Sequence, residues 1–331
     1  MNNIAVLTLK ALRKIYHLNS SERINSKPKI ILNPNKASVL VKSYLSDEKP
    51  CMIARFGANE LSILINYLGV KGNKRDALSY IRGENPAWWW EKDKVSSMHI
   101  GAGFFPPKIN KIEQYCHLFL DDIKQVDILG SWLSEERYVE NKLKGVKKVQ
   151  LLTLDPYWAD QPWTHVLAGK NVLIIHPFAD TIKKQYKKRK LLFKDNSLLP
   201  EFKLKTIKAV QSIAGNKTGF SDWFEALDHM KRQMDKTDYD ICIIGAGAYG
   251  FSLAAHAKRS GKKGFHIGGS LQLLFGIRGE RWEGEHYRVN YFDGEKKVLF
   301  DYPGLVNEHW VRASKTERPE NAESVEGGCY W

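Results

Sequence analysis

The run Asp240-Ile-Cys-Ile-Ile-Gly245-Ala-Gly-Ala-Tyr-Gly250 decides the fold. Its first half is a continuous apolar stretch of strand length, and its second half is a glycine turn. The apolar pattern then resumes as a helix from Phe251 to Arg259, and a further strand follows at Lys263–Ile267. The same unit of strand, turn and helix recurs upstream. Cys51–Arg55 runs through Phe56–Glu60 into a helix that extends to Leu68, preceded by a short helix over Lys36–Leu45. Further strands are predicted at Val126–Gly130, with a helix opening at Ser134–Glu136, and at Val149–Leu154, ended by Asp155-Pro156. Asn171–His176 and Lys205–Val210 complete the set, a basic helix follows Pro177, and Asp222–Lys236 reads as an amphipathic helix. Near-continuous apolar strands alternating with helices specify an α/β fold, a mostly parallel sheet with helices on both faces.

The chain has 331 residues and shows no internal repeat and no long low-complexity linker. The pattern divides it into an N-terminal amphipathic helix and linker (1–35), an α/β domain (36–285), and a hairpin with a polar tail (286–331). The hairpin is expected around Asp293-Gly294, and the Glu-rich last fifteen residues are expected to be loose. In the first segment Ile4, Leu7, Ala11, Ile15 and Leu18 share one helical face, and Lys10, Arg13, Lys14 and His17 share another. That is the pattern of a helix lying on anionic lipid or packed on its own domain. No run is long enough to cross a membrane, and the early cations do not read as a secretory signal, so a cytoplasmic protein is expected, possible peripheral membrane contact included.

Fifty-one Lys and Arg against thirty-seven Asp and Glu give a net charge of +14, which favours anionic partners without choosing among them. Lys183–Lys190 concentrates six of those cations, and is read as a lipid-facing run or a solvated helix face. No zinc-finger spacing, helix-turn-helix or RNA-recognition pattern is present, so no nucleic-acid partner is expected. Cys51, Cys116, Cys242 and Cys329 are scattered and are read as reduced thiols rather than a metal site.

Open parallel sheets bind ligands outside the carboxyl ends of their strands. The residues just past each strand are therefore the candidates: Arg55 to Glu60, Ser131 and Trp132, Asp155, His176 to Asp180, Gly245 to Gly250, and His266 to Gly269. Gly245, Gly247 and Gly250 let backbone amides approach a phosphate at the start of a helix, with Tyr249 in the same turn. No acid follows Phe265-His266-Ile267-Gly268-Gly269 to hold an adenosine ribose, so neither NAD nor FAD is expected. Arg55, beside Gly57 and Asn59, suits an anion held bidentately. Glu60 is a base, a metal ligand or a helix-start charge, and His176 and Asp180 are proton-transfer, phosphate-binding or capping groups. Asp155 serves a ribose, a metal or the turn itself. Trp88-Trp89-Trp90 offers aromatic faces to a ligand, a partner or the core.

Arg55-Phe-Gly-Ala-Asn-Glu60 resembles the Arg-Phe-Gly-Asp-Gly-Glu type motif of the GT-D class of bacterial glycosyltransferases. His176-Pro-Phe-Ala-Asp180, Leu199-Pro-Glu-Phe202, the segment Lys205–Ile213, the 245–250 turn and Ile267-Gly-Gly-Ser-Leu-Gln-Leu-Leu-Phe-Gly-Ile277 are similar to uncharacterised bacterial proteins associated with surface polysaccharides and distantly like those enzymes. The likeness covers most of residues 50–283. It implies a Rossmann-like domain that uses a nucleotide-sugar donor and a divalent cation, Mn or Mg, held by an Asp-x-Glu pair. Ala58 stands where that Asp belongs, which leaves Glu60 as the one metal ligand of the pair.

The expected function is a glycosyltransferase that moves a sugar from a nucleotide donor to a glycan or lipid-linked acceptor in surface polysaccharide synthesis. Glu60, His176 and Asp180 are its base candidates. Arg55, Gly57, Asn59, Trp132, Asp155, Gly245, Gly247, Tyr249, Gly250, His266, Gly268 and Gly269 are its substrate-binding candidates. The alternatives are a non-catalytic nucleotide- or glycan-binding accessory protein of an assembly complex, and a nucleotide-cofactor oxidoreductase.

Overall fold

In a computed structural model of the chain, which describes residues 3–19 and 30–331, seven parallel strands form one sheet. They are β1 (Cys51–Arg55), β2 (Ile128–Ser131), β3 (Lys147–Gln150), β4 (Asn171–His176), β5 (Lys203–Lys208), β6 (Ile241–Ile244) and β7 (Lys263–His266), in the order β3-β2-β1-β7-β6-β4-β5. Most of the expected linker, residues 20–29, lies outside the described part. The helices are α1 (Asn3–Asn19), α2 (Pro34–Ser46), α3 (Ala58–Lys71), α4 (Ala77–Ile81), α5 (Lys92–Ile100), α6 (Ile109–Ile123), α7 (Ala179–Tyr186), α8 (Trp223–Asp235) and α9 (Tyr249–Arg259). This is the expected Rossmann-like architecture.

The period-two alternation of each strand sorts its apolar side chains onto two cores. Met52, Ala54, Leu173, Ile175, Cys242 and Ile244 face one core with α3, α6, α8 and α9. Cys51, Ile53, Val172, Ile174, Ile241 and Ile243 face the other, with α2, α7 and the C-terminal segment. Such two-sided burial requires strands that are apolar throughout, which is why they read so clearly in the sequence. Pairing carries Ile53 against Ile128 on one side and Phe265 on the other. β1, from the start of the domain, therefore lies beside β7, from its end.

Strand limits differ from the sequence reading by one or two residues at β2, which is Ile128–Ser131 and not Val126–Gly130, and at the end of β7, and they also differ at β3 and β5. β3 stops at Gln150 because the Gln150 side chain accepts the Leu152 N–H at 2.5 Å and its carbonyl accepts the Thr153 hydroxyl at 2.6 Å, turning Leu151–Leu154 into a 3-10 helix. β5 covers Lys203–Lys208 in register with β4, two residues earlier than Lys205–Val210.

The hairpin forms as expected, Arg288–Phe292 pairing with Lys297–Asp301 around a turn in which the Asp293 carboxylate accepts the Glu295 and Lys296 amides. The last residues are not loose. Ala322, Val325, Cys329 and Trp331 are buried, and so is Glu317, whose carboxylate accepts the Asp180 and Thr181 amides and the Thr181 hydroxyl. A run of 3-10 turns has no apolar period to read, which is how this packing escapes the sequence. The four thiols are buried and free, with Cys51 pushed up to about 11 by burial. Among the described residues no helix is long and apolar enough to cross a membrane.

Candidate functional site

The connections leaving neighbouring strands diverge at the strand ends. α3 follows β1 and α9 follows β6 onto one face, whereas α7 follows β4 and Leu271–Leu274 follows β7 onto the other. Diverging connections open a crevice at the carboxyl edge. A cavity of about 500 Å³ occupies it, lined by Arg55, Gly57, Asn59, Glu60, Trp132, His176, Gly245, Gly247, Tyr249, His266, Gly268 and Gly269 among others.

Arg55 is the dominant charge. Its guanidinium lies 5.0 Å from the centre of the Trp132 ring, and Trp132 is fixed in turn by its indole N–H donating to the Phe56 carbonyl at 3.0 Å. Among the described residues the Arg55 guanidinium has no ion pair and no hydrogen bond. Burial lowers its pKa and the nearby Glu60 partly restores it, while Arg281, across the cavity, lowers it further. Arg281 pairs with Glu326, whereas Arg55 has the Glu60 carboxylate nearby without an ion pair to it. Glu60 folds back over Gly57, where a Cβ would collide with its carboxylate. Burial raises the Glu60 pKa, and Arg55 opposes that rise.

The glycines explain how the backbone comes so close. A Cβ on Gly245 would lie 2.6 Å from the Gly268 carbonyl and 2.7 Å from the His176 ring, and Gly268 itself has φ +81°. Among the described residues, the amides of Ala246, Gly247, Ala248, Gly268 and Gly269 have no hydrogen-bond partner. The first-turn amides of α3 at Ala58 and Asn59 are left over by helix geometry. Three turns thus bring unpaired donors to one cavity beside an unpaired cation, the donor set of an anion site.

The two histidines are buried and neutral. His176 Nδ1 accepts the Phe178 N–H at 3.0 Å, which puts the proton on Nε2. His266 Nδ1 donates to the Ile244 carbonyl at 3.3 Å, which leaves a lone pair on Nε2. Burial pushes both down to about 3, with Arg55 adding to the effect at His266. Gly250 lies outside the lining but is needed by it, because a Cβ there would collide with the His266 imidazole. Tyr249 is part of the floor. Its hydroxyl shares a 2.8 Å hydrogen bond with Ser212, and its ring stacks on Trp223 with centroids 5.1 Å apart.

Asp155 and Asp180 are not brought into the cavity. Asp155 follows the 3-10 turn after β3 and is buried against the hairpin, accepting the Tyr302 hydroxyl at 2.5 Å, with its pKa raised to about 6 by burial. Asp180 lies on the exposed side of α7, 3.4 Å from Lys183. The cations at Lys183, Lys184, Lys187, Lys188 and Lys190 are exposed, as a solvated face requires. Trp88 and Trp89 pack edge-to-face with each other and with Tyr80, and Trp90 packs beside Tyr67.

Sequence reasoning misses Ser96 and Ser97 of α5, Ser212, Gln272, Arg281, Ser324–Glu326, Tyr330 and Trp331, all of which line the cavity. Arg281 stacks on Tyr330 at 4.6 Å and pairs with Glu326. Trp331 packs edge-on to Phe178. The lone available signal was aromatic content in an otherwise polar tail.

The residues present do not fit a divalent cation held by the protein. Position 58 is Ala, Glu60 has a guanidinium for its neighbour, and no group of three metal-ligating side chains exists among the described residues. The fold and cavity define a Rossmann-like α/β protein with a crevice at the carboxyl edge of its sheet. Compared with what is known, the chain matches no protein family, no curated protein and no solved structure.

Proposed function

We propose that the protein is a glycosyltransferase that takes a nucleoside-diphosphate sugar in this cavity and transfers the sugar to a hydroxyl of a glycan or lipid-linked acceptor. The observation that carries this reading is the buried Arg55 guanidinium, without an ion pair among the described residues, set among unpaired amides from three turns. In the reaction the acceptor oxygen bonds to the anomeric carbon, the bond from that carbon to the diphosphate breaks, and Glu60 takes the acceptor proton. Burial, which makes the Glu60 carboxylate more basic, suits it to that role. Arg55 and the amides receive the charge that develops on the leaving diphosphate, and His176 Nε2–H donates to it as a neutral group. Trp132, 43 % exposed, offers a face to the base or the sugar.

The test is calorimetric titration of the full chain with a panel of nucleoside diphosphates and their sugars, followed by assay of diphosphate release with glycan and lipid-linked acceptors. Binding of at least one donor is expected, and Arg55→Ala weakens it about 10- to 100-fold, the worth of a charge-assisted contact. A folded protein that binds none of the panel overturns the reading. Ala58 at the metal-ligand position favours a second reading, an accessory protein that binds the nucleotide without turnover. That reading gives the same titration and no diphosphate release with any acceptor.

A further inference from the structure

A helix on a globular domain ordinarily buries its apolar stripe; α1 does the reverse. Its inward side holds Val6, Leu9, Lys10, Arg13 and His17. Lys10 lies 3.2 Å from Glu91 and 3.7 Å from Asp93. The Arg13 guanidinium stands 4.7 Å from the Tyr80 ring centre, and the His17 ring lies where a Cβ on Gly83 would come within 3.0 Å of it. Polar contacts therefore fix the helix against α4 and the segment before α5. Its outward side carries Ile4, 72 % exposed, Leu7, 66 %, Ile15, 53 %, and Leu18, 75 %. With Ala11 they fall within an arc of roughly 80° at 100° per residue.

A second feature lies along the same helix. Between α1 and the domain is a cavity of about 470 Å³ whose lining includes Lys10, Arg13, Lys14, His17, Lys94 and Arg137, against the two acids Glu91 and Glu135. Lys14 is exposed and has no ion pair among the described residues.

We propose that α1 is a membrane-surface anchor that lies on a bilayer containing anionic phospholipid. Its apolar side enters the boundary of the acyl chains, and headgroup phosphates meet Lys14 and the basic cavity. A second copy of the chain is the poorer occupant on two grounds. One face of a single 17-residue helix offers less than the roughly 800 Å² per partner of a stable interface. The net charge of +14 repels a copy and attracts an anionic surface. The inference stands on α1 alone and does not need the nucleotide chemistry, although it would bring the cavity to the surface where a lipid-linked acceptor resides.

Co-sedimentation of the full chain with vesicles tests it. Phosphatidylcholine vesicles are compared with vesicles of phosphatidylcholine and phosphatidylglycerol, using the wild type and the double variant Leu7→Glu/Ile15→Glu. The wild type is expected to sediment with the mixed vesicles and more weakly with the neutral ones. The variant loses about tenfold or more in affinity, from two buried side chains. Because both residues are exposed, its thermal midpoint and its nucleotide titration stay at the wild-type values, which separates failure here from failure of the transferase reading. A wild type that ignores the mixed vesicles, or binds both kinds equally, overturns the proposal. So does a wild-type dimer by sedimentation velocity that the variant converts to a monomer, since a second copy would then cover the face.

Discussion

The cavity and α1 break the same rule in opposite senses. In the cavity, polar groups are withdrawn from bulk water with few partners: the Arg55 guanidinium has Trp132 but no ion pair among the described residues, and each of the two neutral imidazoles uses one ring nitrogen, toward the Phe178 N–H and the Ile244 carbonyl. On α1, apolar groups are left in water although the helix has a domain to pack on. Each arrangement costs free energy in the isolated chain. On the readings proposed above, the first arrangement suits an anion and the second an apolar surface. On the two proposals, docking and recognition fall to separate faces. α1 holds to its domain by charge and offers hydrocarbon outward, whereas the crevice is held by hydrocarbon beneath and offers charge inward.

The largest effect that sharpens this contrast is expected at Trp331. Its ring is buried against Phe178 at the cavity wall, its amide donates to the Gly328 carbonyl at 2.9 Å, and Arg312 donates to its carbonyl at 2.9 Å. Trp331→Ala should cost about 3–5 kcal/mol by chemical denaturation, the range for a buried aromatic. A loss within experimental error of zero would mean that the C-terminal segment is not part of the wall. Next is Gly250→Ala, which forces the His266 imidazole aside. A loss of about 1–3 kcal/mol is expected, with weakened nucleotide binding in the same titration. Unchanged binding would place the cradle's function elsewhere.

The smallest effect is in pH. His176 and His266 titrate near 3 in the folded chain and near 6.5 when unfolded. Between those values the unfolded chain binds more protons, so stability falls as pH falls below 6.5, by about 1.4 kcal/mol per unit for each histidine. Asp155, raised to about 6 by burial, has the opposite sign, because its folded form binds the extra proton between about 3.8 and 6. The net expectation is a decline on acidification from pH 7 to 5, shallow near 7, steepening through 6.5, and held below 6 to about the slope of one histidine because Asp155 offsets the other. His266→Gln should flatten it. Denaturant titrations at three pH values read this, and a flat wild-type profile would mean that the histidines are not buried as described.

The strands were legible because both of their faces are apolar, and the crevice was legible because strand ends and glycines coincide at Gly57, Gly245–Gly250 and Gly268. The strand-end rule fails at Asp155, where a 3-10 turn follows an edge strand and carries the carboxylate to the hairpin. It fails at Asp180 because a helix has an outer side as well as an inner one. Arg281 and Tyr330 were invisible since nothing local marks them. They arrive through short turns whose packing is set by partners distant in sequence, with Glu317 holding the first turn of α7 as the clearest case.

The placement of β1 against β7 has one more consequence. Arg55 ends the first strand of the sheet and Gly268 follows its last, yet the Arg55 side chain lies 3.5 Å from where a Gly268 Cβ would stand. The opening and closing segments of the domain therefore meet at one point of the cavity, and neither half of the chain contains it. A bound anion would act as a clasp between them, so its occupancy reports whether the whole sheet is assembled, and saturating ligand raises the unfolding midpoint of the entire domain by mass action.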